Sequence, residues 1–268
     1  MSIGAHQLKT IGQLKNVLIW TAGGPGSGKT TLLHNLSSIM KNDYDQNIDN
    51  MLVIGNTLLG SLQISANGID QILADCAPIM IDNRCIDEQL IADVVKFAKK
   101  NAYKTILIYP WIDYTTFCKR LSDRKQETGR DYKLAQFWKK HLIFHKNLYK
   151  YIRSSSCPFD ICLVYNNNND LEKPVIYAKI MQQCYLLDRN FLNQINHKDN
   201  DDLILKKKNL VDNQNQDKGH SFVPNQSYLS SQLKFIFNCL FTDIISQPMG
   251  QSLNFYIKGL VETHDETR

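Results

Sequence analysis

Residues Gly23-Gly24-Pro25-Gly26-Ser27-Gly28-Lys29-Thr30-Thr31 match the spacing G-x-x-x-x-G-K-[ST]. This run constrains the fold more than any other in the chain, because its chemistry works only between a strand and a helix. Glycines let the backbone turn tightly enough for several N–H groups to converge on one anion. A helix that begins at the anion adds the positive end of its dipole. Lys29 reaches the outer phosphates of a nucleotide, and Thr30 offers a hydroxyl to Mg²⁺. The flanks agree with this reading. Val17-Leu18-Ile19-Trp20-Thr21 is a short apolar run expected to form a buried strand, and Leu32, Leu33 and Leu36 open a helical pattern after the loop.

The remaining apolar runs extend the pattern to a whole sheet. Met51–Ile54, Ala77–Asp82, Thr105–Tyr109 and Phe159–Tyr165 read as four more strands, the fourth strand being stopped by Pro110. Between them lie helical segments. Leu90, Ile91, Val94, Val95 and Ala98 share one face of a helix over 87–100. A second helix covers about 115–125, before Gly129, and a longer one covers 134–153. Strands alternating with helices indicate an α/β fold: a five-stranded parallel sheet with helices on both faces. In such folds ligands bind outside the carboxyl ends of the strands. The phosphate loop, Asp82, residues 110–114 and the Asn166–Asn169 tract all follow strands and are expected on one sheet edge.

After Asp170 the character changes. The division expected is a nucleotide-binding domain over 1–170 and a mainly helical extension over 171–268. A helix is expected over Val175–Leu192 and another over Tyr228–Ile245, with a shorter element over 252–261. The segment near 196–227 is polar and reads as a mobile linker, its Lys206-Lys207-Lys208 run a solvated patch. The 268 residues carry 43% hydrophobic residues, enough for a substantial core, and a formal charge of +5. That charge permits phosphate-bearing partners and does not demand nucleic acid. Seven cysteines with no C-x-x-C pair point to reduced thiols and a cytoplasmic setting. No apolar run reaches the roughly 20 residues of a membrane span.

Three groups of residues carry candidate chemistry. Asp82, at the tip of a buried strand beside the phosphate loop, can hold Mg²⁺ together with Thr30, or accept a proton from an attacking hydroxyl. The competing reading is a turn or capping Asp before Asn83-Arg84. Arg120, Arg124 and Arg130 form a second group. The first two lie four apart on one helix face, and Arg130 follows a glycine where a lid could swing. Guanidinium forks stabilise the charge that builds up in phosphoryl transfer, and Arg124 and Arg130 are the chosen candidates. The competing reading is a solvated helix paired to Asp123 and Glu127. Asn166, opening the tract after the fifth strand, is placed beside a nucleotide base, with a plain polar turn as its alternative. Trp111, Tyr114 and Tyr132 read as packing more than as stacking platforms. His141 and His145 have the spacing of a zinc pair but lack an intervening Glu and a third ligand.

Taken together, these residues give a chain that resembles the zeta-toxin-like and related small P-loop kinases over roughly 15–170. The resemblance rests on the Gly23–Thr31 loop, the Ile79–Asp82 strand, the Thr105–Pro110 strand, the Arg120/Arg124/Arg130 segment and the Phe159–Asn166 strand and loop. It implies ATP or GTP as donor, Mg²⁺, and a small-molecule hydroxyl as acceptor, a nucleotide sugar in zeta-like kinases. Lys29, Thr30, Arg124 and Arg130 fall on matching positions, and Asp82 stands in for an acidic residue. Such kinases place an acidic base just after the second strand, whereas this chain reads Val53-Ile54-Gly55-Asn56-Thr57-Leu58. The alternative is therefore a nucleotide-binding interaction module with degenerate catalysis, with a protein partner bound through 171–268. A polynucleotide 5′-hydroxyl kinase ranks lower, since no aromatic-basic motif stands out. A GTPase switch is disfavoured because no N-K-x-D run is present.

Overall fold

The computed structural model describes residues 16–44, 52–55, 78–82, 87–129, 133–153, 157–168, 175–180, 183–186 and 237–240. The elements are β1 (Val17–Thr21), α1 (Lys29–Tyr44), β2 (Leu52–Gly55), β3 (Ile79–Asp82), α2 (Glu88–Lys100), β4 (Lys104–Trp111), α3 (Tyr114–Thr128), α4 (Leu134–Arg153), β5 (Ile161–Asn166), β6 (Val175–Ile180) and β7 (Gln183–Leu186). Residues 237–240 are helical. Arg130, Asn169, Tyr132, the 56–71 segment, the 196–227 segment, the lysine run at 206–208 and the 252–261 element lie outside the described residues.

The strand order is β2-β3-β1-β4-β5-β6-β7. The first five strands are parallel, as expected for an α/β sheet. Every residue of β1 is buried, as a central parallel strand requires. Its side chains alternate between two cores. Leu18 and Trp20 join Ile91, Val94 and Val95 of α2 and Phe144, Leu148 and Tyr151 of α4 on one face. Val17 and Ile19 join Leu32, Leu33 and Leu36 of α1, with Phe237 and Leu240, on the other. The period of two along the strand thus fills both layers at once. Leu36 is fully buried there, and truncating such a leucine to alanine costs about 2–5 kcal/mol.

The helices around the sheet end where local chemistry dictates. Asp87 caps α2, its carboxylate accepting from Leu90 N at 3.1 Å. Ile91, Val94, Val95 and Ala98 form the buried stripe expected from their spacing. Asp113 caps α3 by accepting from Thr116 N at 2.7 Å, and Gly129 closes the helix in the left-handed conformation, φ 65°.

Two expectations are corrected. Val175–Leu186 is not helix. It forms two strands, β6 antiparallel to β5 and β7 antiparallel to β6, so this part of the extension is not helical and lengthens the sheet instead. Within β6, Tyr177, Ala178 and Ile180 are all buried, and pairing on β5 decides the conformation that apolar content leaves open. Nor does Pro110 stop β4, which continues to Trp111. Ile108 O accepts from Ala22 N at 3.0 Å, so by alternation the absent N–H of Pro110 faces the flank where β1 has already ended. On the other flank Asn167 N donates to Trp111 O at 2.8 Å.

Candidate active site

β1 pairs with β3 on one side and β4 on the other, and the chain leaves these strands in opposite directions. The crevice at their carboxyl ends is thus a topological switch point. The phosphate loop leaves β1 here, and Asp82 ends β3 opposite Thr21, with Gly55 of β2 on its far side. The sequence expectation that these residues share one sheet edge therefore holds. Asp82 Oδ1 is buried and accepts no hydrogen bond among the described residues. A buried carboxylate oxygen left in this state is costly unless a cation or donor arrives, so the residue fits a metal-holding role. Thr30 is exposed in the first turn of α1.

The loop is held by its own hydrogen bonds. Lys29 Nζ donates to Gly24 O at 3.0 Å, and Ser27 Oγ donates to the same carbonyl at 2.9 Å. Leu32 N donates to Gly28 O at 2.9 Å, which begins the ladder of α1. Gly28 has φ 91°, a conformation that side chains resist.

Three side chains hold the loop: Arg120, which the sequence put in the arginine group without choosing it, Asn167, from the asparagine tract placed near the base, and His141, which the sequence did not assign to the site. Arg120 Nη1 donates to Gly26 O at 3.1 Å, and its Nη2 donates to Asn167 O at 2.7 Å. Asn167 Nδ2 donates to Ser27 O at 2.6 Å. His141 Nε2 lies 3.0 Å from Pro25 O. A carbonyl only accepts, so Nε2 carries the proton; Nδ1 is buried with no partner among the described residues. Burial lowers His141 to a pKa of about 4, further lowered by Lys29 and opposed by the Pro25 carbonyl. At neutral pH the imidazole is uncharged. His145, lowered to about 3 by burial and by His141, meets the hydroxyl of Tyr109 at 2.6 Å. Burial pulls Arg120 below its ordinary value, with Tyr165 and Asp113 opposing; a guanidinium stays charged regardless. Phe117, Leu121, Trp138 and Ile112 pack into a small cluster beside these groups.

The other candidates fall as follows. Arg124 is exposed, one helical turn beyond Arg120. Asn166 Oδ1 accepts from both the backbone N and the side-chain Nδ2 of Asn168, at 3.0 and 2.9 Å, and Asn168 Oδ1 accepts from Asp113 N at 3.1 Å. It is therefore Asn167, not Asn166, that touches the phosphate loop. The i, i+4 spacing of Arg120 and Arg124 flagged the right helix. The asparagine tract flagged the right loop, without saying which member turns inward. Among the described residues no cluster of His, Cys, Asp and Glu forms a metal site of three or more ligands. Cys118, Cys157, Cys162 and Cys239 form no disulfide. No described helix is long and apolar enough to cross a membrane.

No protein-family model matches the chain, and no curated protein matches it significantly. Among solved structures, one from the PezAT chromosomal toxin–antitoxin system of Streptococcus pneumoniae is similar at a TM-score of 0.43 and 12% identity, covering 75% of this chain and 88% of that one. The AvrRxo1-ORF1:-ORF2 complex with ATP is similar at a TM-score of 0.47 and 16% identity, covering 67% of this chain and 63% of that one. The YGR205w protein is similar at a TM-score of 0.35 and 13% identity, covering 61% of this chain and 89% of that one.

Proposed function

We propose that the chain is a Mg²⁺-dependent phosphotransferase that moves the γ-phosphate of ATP or GTP to a hydroxyl of a small molecule, with a nucleotide sugar as the leading acceptor class. The observation that carries the reading is the placement of the phosphate loop, which follows Thr21, beside Asp82, whose buried Oδ1 lacks a partner among the described residues. In the transfer, the acceptor hydroxyl gives its proton to Asp82 or to water as its oxygen forms a bond to the γ-phosphorus, the bond to the bridging oxygen breaks and the nucleoside diphosphate leaves. Lys29 lies against the outer phosphates and neutralises charge there. Arg124 and Arg130 supply guanidinium groups to the transferring phosphoryl oxygens. Thr30 and Asp82 hold Mg²⁺, which when bound screens the negative charge on the phosphates. Asn166 lies beside the nucleotide base.

The experiment is transfer of labelled phosphate from ATP into a metabolite pool, with the Lys29→Ala variant alongside. A labelled product that the variant fails to make supports the reading; equal labelling by both removes it.

A second reading follows from the end of β2. Gly55 pairs with Asp82, and the next residues, Asn56-Thr57, bring no carboxylate. In that reading the chain binds a nucleotide without transferring phosphate and engages a protein through 171–268. Tight ATP binding without turnover, unchanged chemically by Asp82→Ala, would favour it. The cytoplasmic setting is proposed on the thiol state of the described cysteines.

A further inference from the structure

Three consecutive carbonyls of the phosphate loop, those of Pro25, Gly26 and Ser27, each accept a hydrogen bond from a different side chain: His141, Arg120 and Asn167. These side chains come from α4, α3 and the loop after β5. Arg120 also holds Asn167 through its backbone carbonyl, so one clamp steadies another. In a planar trans peptide the C=O and the following N–H point in opposite directions. Turning these three carbonyls outward therefore turns the N–H groups of Gly26, Ser27 and Gly28 toward the concave side. Lys29 Nζ lies on that side, bonded to Gly24 O, and Ser27 N makes a long 3.3 Å bond to the same carbonyl.

We propose that Arg120, Asn167 and His141 are positioning residues: a carbonyl clamp that presets the loop's amides as a polyphosphate site. The inference rests on the phosphotransferase reading and deepens it. Binding then requires little reordering of the loop. A phosphate oxygen replaces the long Ser27 N to Gly24 O bond, and the clamp bonds persist unchanged. The neutral imidazole suits its place, since it donates to Pro25 without adding a second cation against Lys29. The two clamps nearest the phosphates use a guanidinium and an amide, neither of which titrates near neutral pH.

The test uses the full-length chain and isothermal titration with Mg-ATP and with tripolyphosphate, which carries no base. Losing one charge-assisted or buried hydrogen bond to the loop should weaken both ligands about tenfold in Arg120→Ala and in Asn167→Ala. The double variant should be hardly weaker than Arg120→Ala alone, because Arg120 holds the backbone from which the Asn167 amide reaches the loop. His141→Leu should weaken binding, and His141→Gln, which keeps an N–H donor, should restore it at equal melting temperature. Arg120→Lys keeps the charge but not the two-carbonyl fork. It should stay folded and bind weakly, which separates loop order from folding. Wild-type binding with unchanged affinities in the Arg120 and Asn167 variants would overturn the clamp and spare the phosphotransferase reading. A wild-type chain that binds neither ligand would overturn both.

Discussion

The ring of His141 occupies the space in which a side chain on Gly24 would have to lie: a Cβ built there would run into Cδ2 and Nε2 of the imidazole. The second residue of the loop is glycine because α4 presses a ring against it. Gly24→Ala should therefore displace either the loop or α4. The expected outcome is a stability loss of about 1–3 kcal/mol together with weakened nucleotide binding. Denaturant unfolding and titration with Mg-ATP on the same sample measure both.

Lys29→Ala should reduce phosphate transfer by about 100-fold or more, the scale expected when a preorganised charge at the transferring group is removed. Its ammonium lies within the loop at 3.0 Å from Gly24 O, so little fold stability is at stake. Single-turnover rates and a melting curve distinguish loss of chemistry from loss of structure.

Asp82→Asn separates metal binding from folding. Its buried Oδ1 has no partner among the described residues, so removing the charge should leave the ligand-free protein as stable or more so. The Mg²⁺-dependent gain in nucleotide affinity should shrink. Thermal melts with nucleotide, with and without Mg²⁺, check both halves.

Acid should destabilise the fold through two imidazoles. Unfolded, both take up a proton near pH 6.5. Folded, His141 does so only at about 4 and His145 at about 3. Between those values the unfolded chain binds more protons, so stability is full above about pH 6.5 and falls as pH drops toward the folded values. Melting temperature should fall between pH 7 and 4.5, and the His141→Gln variant should show a shallower slope.

At the opposite end of the sheet, Asp160 Oδ2 accepts from Thr105 N and from Thr105 Oγ1, each at 2.9 Å, while Oδ1 meets Lys99 at 2.9 Å. Asp160→Ala leaves Thr105 N without this acceptor. Stability should drop by about 1–3 kcal/mol with no change in affinity for Mg-ATP, which makes it a control for the site variants.

What could be read before folding was local. The phosphate loop, the α4 span and the buried stripe of α2 depend on spacing within one segment, and spacing is visible in a sequence. The β6–β7 pair was misread as helix because six residues and then four, with no long period, suit either conformation. Pairing on β5 settles the matter, and that pairing is not local. The clamp was out of reach for the same reason. Arg120 is 94 positions from Gly26, Asn167 is 140 from Ser27 and His141 is 116 from Pro25. Nothing in the spelling of Asn166-Asn167-Asn168 says that the middle one faces the loop.

Phe237 and Leu240 are fully buried against the α1 face, with Phe237 meeting Tyr165 edge-on, 6.2 Å between ring centroids. A ribosome must therefore deliver the chain past residue 240 before this core can be sealed. Until residue 240 emerges, Leu32, Leu36 and Tyr165 wait with one flank unfinished. Contacts closed over so long a separation form slowly, so the newborn protein passes through a stage in which its phosphate-loop half exists with an open, sticky side.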